Sequence, residues 1–235
     1  MTPYHHQTKM LIAVDCIIFG FDGKQLKLLL IQRALAPEVG KWSLMGGFVQ
    51  QKENLDQAAA RILKDLTGLS DVYLEELSVF SDHDRDPVER TVSVAYFALV
   101  DINKYQLQLT DDYHAEWFDL NQHPQLIFDH TAMVEKAKIR LRYKAAFHPI
   151  LFELLPAKFT LPQLQNLYEE VYHLEMDKRN FSRKILSMNL LEKLDEKDKE
   201  NSKKGAWYYQ LNKKKYKANF HSVATIIPNP DIYYS

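Results

Sequence analysis

Four residues between positions 47 and 68 have the spacing of a catalytic motif built on one loop and one helix. Gly47 is followed by Glu53, then by Arg61 eight positions further on, and the segment closes at Gly68. Carboxylates placed in this way can hold Mg²⁺, which prefers hard oxygen ligands and can polarise a phosphate or activate water. The outline of this motif indicates acid or metal-assisted chemistry on the helix that follows the loop.

The helix positions where the acid chemistry would be placed are mostly apolar. Ile62 follows Arg61, and the next pair is Asp65 and Leu66. Residues 62 and 66 lie four apart and share one helix face, where they extend an apolar stripe. Isoleucine and leucine offer Mg²⁺ no ligand, and Glu53 with Asp65 could bind at most one cation, and only weakly. The sequence therefore predicts no catalytic residue and no bound metal. We expect that the motif is retained for its turn and for the packing of its helix on the sheet.

Charged and aromatic residues around this motif could still form a binding pocket. Guanidinium and carboxylate groups close together can hold hydroxyls or phosphates. The alternative for the charged loop SDHDRDPVER is a solvated segment with local ion pairs. The candidate effector-binding residues are Asp15, Arg33, Trp42, Asp84, Arg85, Asp86 and Arg90.

The elements that must position these residues follow from the apolar periodicity of the first part of the chain. Asp22 and Gly23 supply the turn of a hairpin. Cys16 lies inside the first strand pattern, so we expect a buried apolar residue and not a nucleophile. The prediction is an α+β fold, a mixed sheet with mainly antiparallel strands and helices packed on it. Strands are predicted at 11–19, 26–31, 72–80, 91–99 and 115–120, and helices at 55–67 and 131–143.

Strand signals give way to helix starts after Pro149. Thr160 and Gln163 have the spacing of a capping box, and Asp177 is the expected N-cap of a second helix. Two segments at 190–197 and 206–212 flank a polar turn and predict a β-hairpin. Helix, turn, helix and hairpin is the plan of a winged helix-turn-helix. We expect domains at 1–148 and 149–220, followed by an irregular tail at 221–235.

The second helix of this plan carries a basic face. At 100° per residue, Phe181, Ile185 and Met188 form its buried stripe. From 178 to 217 there are thirteen Lys and Arg against five Asp and Glu, an excess that the net charge of −1 conceals. Arg and Asn read base edges, whereas lysines contact phosphates. The expected DNA contacts are Lys178, Arg179, Asn180, Arg183 and Lys184, with Lys203 and Lys204 at the hairpin turn.

Segments from both parts of the chain resemble one group of bacterial regulators. GKWSLMGGFVQ, DRDP, VSVAYFALV and LIFDH resemble a Nudix domain, and LLPAKFTLPQLQNLYEEVY and MDKRNFSRKI resemble a winged helix-turn-helix. The chain is thus similar to Nudix-related transcription regulators, most of all to the Bacteroides-type regulators of L-arabinose utilisation. The regulators of NAD metabolism, which sense ADP-ribose, are the next nearest. The degenerate Nudix box of this sequence consists of Gly47, Glu53, Arg61, Asp65 and Gly68.

This resemblance implies a homodimer that binds double-stranded operator DNA and releases it when a small molecule occupies the Nudix-like domain. The expected function is a repressor of pentose-utilisation genes with L-arabinose or another pentose as effector, and with no cofactor. ADP-ribose, sensed by a regulator of NAD metabolism, is the alternative. A Nudix hydrolase with a basic accessory domain, and an RNA- or protein-binding module without effector, also remain open.

The cellular setting is predicted from simple counts. One cysteine excludes an internal disulfide framework and suits a reducing compartment. No run of about 18 apolar residues is present to cross a membrane. We therefore expect a soluble cytoplasmic protein with no membrane partner.

Overall fold

The computed structural model describes residues 4, 6–34, 36–103, 114–199 and 205–219. The predicted tail at 221–235, and Lys203 and Lys204, lie outside these residues. The first part is a seven-stranded mixed sheet with two long helices, which confirms the predicted α+β fold, although only five of the strands were predicted. Its strands are β1 (Leu11–Phe21), β2 (Leu26–Gln32), β3 (Trp42–Ser43), β4 (Met45–Phe48), β5 (Tyr73–Phe80), β6 (Thr91–Asp101) and β7 (His114–Asp119).

Strand β1 is the centre of this sheet. It runs parallel to β6 along its whole length, whereas the other strand pairs are antiparallel. On its other side, β1 pairs with β4 from Ala13 to Cys16 and with β2 from Ile18 to Phe21. The partner of β1 therefore changes in mid-strand from β4 to β2. The cavity described below lies where β2 and β4 separate.

Helix α1 (Leu55–Thr67) has the predicted bounds and clear signals at both ends. Asn54 and Gln57 form a capping box, in which each side chain accepts a hydrogen bond from the other residue's backbone N–H at 2.9 Å. Gly68 ends the helix in the left-handed region, at φ 71°, which costs a glycine little.

Helix α2 (His130–Phe147) is longer than the predicted 131–143 and covers the other face of the sheet. Alternate residues of β1 point to opposite faces. Cys16 and Ile18 share a buried cluster with α1, and Ile17 and Phe19 share a second cluster with α2. Cys16 is fully buried in this apolar cluster, which confirms the role expected from the sequence, and burial raises the pKa of its thiol.

The second part confirms the winged helix plan. A 3₁₀ helix (Ile150–Leu154) precedes β8 (Lys158–Thr160), α3 (Leu161–Tyr172), α4 (Lys178–Ser187), β9 (Leu191–Asp198), β10 (Ala206–Leu211) and α5 (Lys213–Asn219). Thr160 caps α3 with Gln163, and Asp177 Oδ1 accepts the Asn180 N–H at 2.8 Å at the start of α4. The three-stranded sheet has the order β8-β10-β9.

The two parts are joined by a continuous core. One buried cluster includes Phe19 of β1, Val134 of α2 and Ile185 of α4. Polar contacts reinforce it: Arg142 Nε donates to the Val171 carbonyl at 2.8 Å. The domain boundary at 148/149 stays a prediction. None of the helices in the described ranges combines the length and the apolar character that a membrane crossing requires.

Candidate ligand pocket and nucleic-acid interface

A cavity of about 270 Å³ opens where β1 changes partners. One wall comes from β1, β2 and β4, and the loop before β6 and the start of α2 form the other. Apolar contacts come from Ile31, Phe48 and Phe128. Of the residues predicted to bind an effector, Asp15, Arg33, Arg85 and Asp86 line the cavity, and Trp42, Asp84 and Arg90 do not.

The charged wall of the cavity is a buried network around Arg85. Its side chain is 4% exposed, and Nε and Nη2 donate to the two oxygens of Asp129 at 2.8 and 2.7 Å. Nη2 also lies 3.7 Å from Asp15 Oδ2, which accepts a hydrogen bond from Ser93 Oγ at 2.6 Å. Two carboxylates thus hold one guanidinium in place, which fixes the orientation of its N–H donors beside the cavity.

His130 extends this network as a neutral ring. Its Nδ1 accepts the Leu44 backbone N–H at 3.2 Å, so the ring proton is placed on Nε2, 3.7 Å from Asp15 Oδ1. Burial lowers the pKa of His130, which keeps the ring uncharged at neutral pH. Ser43 Oγ lies 3.4 Å from Nδ1 but donates to the Leu44 carbonyl at 2.9 Å. Because Nδ1 is already occupied, His130 is not arranged as a base for Ser43.

The predicted residues outside the cavity have other contacts. Trp42 packs edge-on against Phe118, with ring centroids 4.7 Å apart. Arg90 donates to the backbone carbonyls of Ser81, Asp82 and Thr91 at 3.0 to 3.2 Å. These contacts hold the loop before β6 together. We therefore place Trp42 and Arg90 in packing and loop structure, outside the ligand pocket.

Sequence reasoning missed the residues at the start of α2. Asp129 and His130 lie in the segment LIFDH, whose resemblance to a Nudix domain assigns no chemistry to either residue. Asp129 is 44 residues from Arg85 along the chain, and Ser93 is 78 residues from Asp15. A DH pair before a helix was the available signal, but its partners are fixed only by the tertiary fold.

The Nudix-box residues form a structural ion pair. Arg61 Nε and Nη2 donate to Glu53 at 2.9 and 2.6 Å, and Nη2 also reaches the Phe48 carbonyl at 3.1 Å. Hydrogen bonds from Arg61 and from the Gln50 N–H lower the pKa of Glu53 to about 2. Asp65 is 60% exposed and lies 3.8 Å from Arg61 Nη1. Glu53 therefore holds the loop to the helix.

The apolar replacements complete the packing of α1. Ile62 is 3% exposed in the α1 cluster, and a Cβ added at Gly47 would lie 3.2 Å from Ile62 Cδ1. Leu66 is half-buried and lines the cavity. In the described part of the chain, no group of three or more His, Cys, Asp or Glu is placed to hold a metal ion. The helix face beside the cavity is thus apolar.

Helix α4 presents the predicted basic face to solvent. Phe181 and Ile185 are buried, and Arg183 Nη2 donates to Asn180 Oδ1 at 2.8 Å, which orients the guanidinium. Such a helix can lie in a major groove with lysines near the phosphates. The exposed residues are Lys178, Arg179, Asn180, Arg183 and Lys184.

Two family models match the chain in the order that the fold displays. The NUDIX domain matches residues 9–138, and the NrtR DNA-binding winged helix domain matches residues 151–211. The first match contains β1 to β7, α1 and the cavity. The second contains α3, α4 and both strands of the hairpin.

Relatives with known roles cover both domains. The chain is 36% identical over 214 residues to the ADPR responsive transcriptional repressor NtrR of Acinetobacter baylyi, a match that covers 89% of this chain and 85% of the repressor. A crystal structure of Shewanella oneidensis NrtR with a 27mer DNA superposes with a TM-score of 0.78 at 31% identity, covering 88% of this chain and 95% of that one.

One solved structure resembles the first domain alone. The NUDIX domain of Shewanella oneidensis NrtR, crystallised with ADP ribose, matches with a TM-score of 0.52 at 33% identity, covering 60% of this chain and 99% of that domain. The matches extend over the sheet with its cavity and over the helices and hairpin that follow. The chain therefore belongs to the NUDIX family, among the NrtR-like proteins that join a NUDIX domain to a DNA-binding winged helix domain.

Proposed function

We propose that this protein is a transcriptional repressor that binds operator DNA as a homodimer and releases it when ADP-ribose occupies the NUDIX cavity. The observation that carries the proposal is the contrast between two sides of that cavity. One side keeps a buried guanidinium with its carboxylate partners. The other side has Leu66, and Ile62 is buried one turn before it on the same helix, where a metal site would need carboxylates. Such a cavity is suited to hold a diphosphate without a metal.

ADP-ribose fits the chemistry of the cavity better than a pentose alone. Arg85 and Arg33 offer positive charge for phosphate oxygens, and Phe48 and Phe128 offer aromatic surface for a base. An uncharged sugar carries no phosphate oxygens that could accept hydrogen bonds from these guanidinium groups. The expectation of L-arabinose came from sequence resemblance, and the comparisons give it no support, whereas the named relatives respond to or bind ADP-ribose.

Binding without hydrolysis is the second part of the proposal. A metal-dependent NUDIX hydrolase needs carboxylates around its cation, and Glu53 is already paired with Arg61. The hydrolase alternative is tested directly by incubating the protein with ADP-ribose and Mg²⁺ and measuring AMP release. Turnover at enzymatic rates would replace the repressor proposal with that alternative.

Thermal unfolding with ADP-ribose is the first test. At a hundredfold excess over Kd, a ligand of the native state adds about 2.7 kcal/mol of stability, a rise in Tm of several degrees. We expect this rise with ADP-ribose and none with L-arabinose at the same concentration. A rise with L-arabinose alone would return the assignment to a pentose sensor.

DNA release should accompany this binding. In a gel-shift assay with operator DNA, ADP-ribose is expected to dissociate the complex at the concentrations that stabilise the protein, because both reflect occupancy of one site. L-arabinose serves as the matched negative control. DNA binding that is insensitive to a ligand that clearly stabilises the protein would overturn the repressor mechanism.

Gly46 offers a mutational test of the cavity. A Cβ at this position would overlap the Asp15 carboxylate and lie 3.2 Å from the Val14 carbonyl. We expect Gly46→Ala to cost about 1–3 kcal/mol of stability and to weaken ADP-ribose binding at least about tenfold, since it displaces the charged wall. Calorimetric titration measures the affinity.

Gly47→Ala is the matched control for this substitution. Its Cβ would lie 3.2 Å from Cγ1 and Cδ1 of Ile62 and is not in contact with the Asp15 carboxylate. Affinity close to that of the unchanged protein is expected. Equal losses in both variants would indicate a general defect of the loop and would remove the support from the Asp15 wall.

A further inference from the structure

Two lysine side chains converge on one tryptophan in the hairpin. Lys193 Nζ lies 3.9 Å and Lys197 Nζ 4.4 Å from the centroid of the Trp207 ring. Both lysines are exposed, and Trp207 is half-buried. Each ammonium group is attracted by the ring face, so the indole holds both at a defined place on the surface. We call these three residues the wing platform.

The strand register explains why the platform forms. In the pairing of β9 with β10, Trp207 lies opposite Lys197, and Tyr209 lies opposite Lys193. The register shifts between these two pairs, so β9 carries extra residues there. Cross-strand neighbours share a face of the sheet, and the bulge draws the two lysines towards one ring.

The carboxylates on the exposed side chains of β9 form no ion pair with the platform in the described part of the chain. Glu192 accepts hydrogen bonds from Gln210 and Asn212, and Glu196 pairs with Lys158 at 2.7 Å. Asp195 is exposed. Within the described ranges, neither lysine of the platform forms an ion pair with it or with any other acid.

We propose that the wing platform is a phosphate-binding site of this protein that contacts the backbone of duplex DNA. Two like charges held beside one ring repel each other, and an anion placed between them removes the repulsion. Phosphodiester oxygens supply that anion without reading sequence. The proposal rests on DNA binding by the winged helix domain, and it adds contacts from the strands of the hairpin to those predicted for α4 and the hairpin turn.

The test is the salt dependence of duplex binding by the full chain. Each phosphate contact contributes about 0.9 to the slope of log K against log salt concentration. Fluorescence anisotropy with a labelled duplex of random sequence measures this slope. Lys193→Gln and Lys197→Gln are each expected to reduce the magnitude of this slope by about 0.9, and the double variant by about twice that amount.

Lys158→Gln is the matched control. Lys158 also lies over an aromatic ring of the same sheet, with Nζ 4.9 Å from the centroid of Tyr208, but its charge is paired with Glu196. We expect its slope to match that of the unchanged protein. A double variant of the platform lysines that keeps the Tm and also keeps the full slope would overturn the proposal.

A second variant tests whether the ring positions the lysines. Trp207→Leu keeps both charges and removes the surface that holds them. We expect weaker duplex binding, by about threefold to tenfold, with the slope unchanged. Affinity equal to that of the unchanged protein would show that the lysines act without the ring. Failure of the unchanged protein to bind duplex DNA would instead refute the proposed function itself.

Discussion

Replacing Arg85 with alanine is expected to lower the free energy of unfolding by about 3–5 kcal/mol and to abolish ADP-ribose binding. The side chain is 4% exposed and is the cation that both Asp15 and Asp129 face. Its removal leaves two partly or fully buried carboxylates without their partner, which costs more than the ion pair gains. Urea denaturation measures the stability, and calorimetric titration measures the binding.

Arg90→Ala is the control for this result. Arg90 lies on the same loop, but its hydrogen bonds go to backbone carbonyls and not to buried acids. A loss of about 1 kcal/mol with ligand binding retained is expected. If the two variants lost the same stability and both bound ADP-ribose, the buried network would have no special role and the pocket would have to be placed elsewhere.

Replacing Ile62 with glutamate is expected to cost about 3–5 kcal/mol at neutral pH and to restore no hydrolysis. The position is 3% exposed inside the α1 cluster, where a carboxylate finds no partner. Burial would raise the pKa of the new carboxyl in the folded state above its value of about 4.3 in the unfolded chain. The penalty should therefore grow as pH rises through the raised pKa and shrink as pH falls towards 4.3, which urea melts across pH can follow.

Leu66→Glu provides the comparison on the same helix. This residue is half-buried at the cavity surface, so a carboxylate there reaches water, and we expect a cost of about 1 kcal/mol. A mild effect of Ile62→Glu, equal to that of Leu66→Glu, would contradict the view that the apolar stripe is part of the core. It would also reopen the question of a residual metal site.

Local signals in the sequence predicted the helices and long strands well. The apolar period from Leu55 to Thr67 and the closing Gly68 gave the bounds of α1, and Thr160, Gln163 and Asp177 marked the starts of α3 and α4. Short elements were missed, because two to four residues carry no period: β3, β4 and β8 are of this kind. Helix α5 was also missed, since its lysines indicated only charge.

Only some of the residues around the cavity could be predicted from the sequence. Asp15 and Arg85 could be proposed from residue type and from their place on a strand and a loop. Their partners Ser93, Asp129 and His130 could not, because the contacts bring together segments that are distant in sequence. Trp42 has a suitable residue type but packs against Phe118. Residue type thus predicted several of the charged groups that line the cavity, and the topology of β1 decided which residues lie there.

The uninterrupted core between the two domains couples the stability of one domain to that of the other. A buried cluster extends from Phe19 through Val134 to Ile185, and so includes the helix proposed to read DNA. Domains joined in this way unfold as one cooperative unit, without the independent melting that a flexible linker permits. Energy gained at the cavity therefore also opposes the unfolding of α4. An excised winged helix would expose its share of this core to water, so the chain cannot be divided into its two domains without loss of stability.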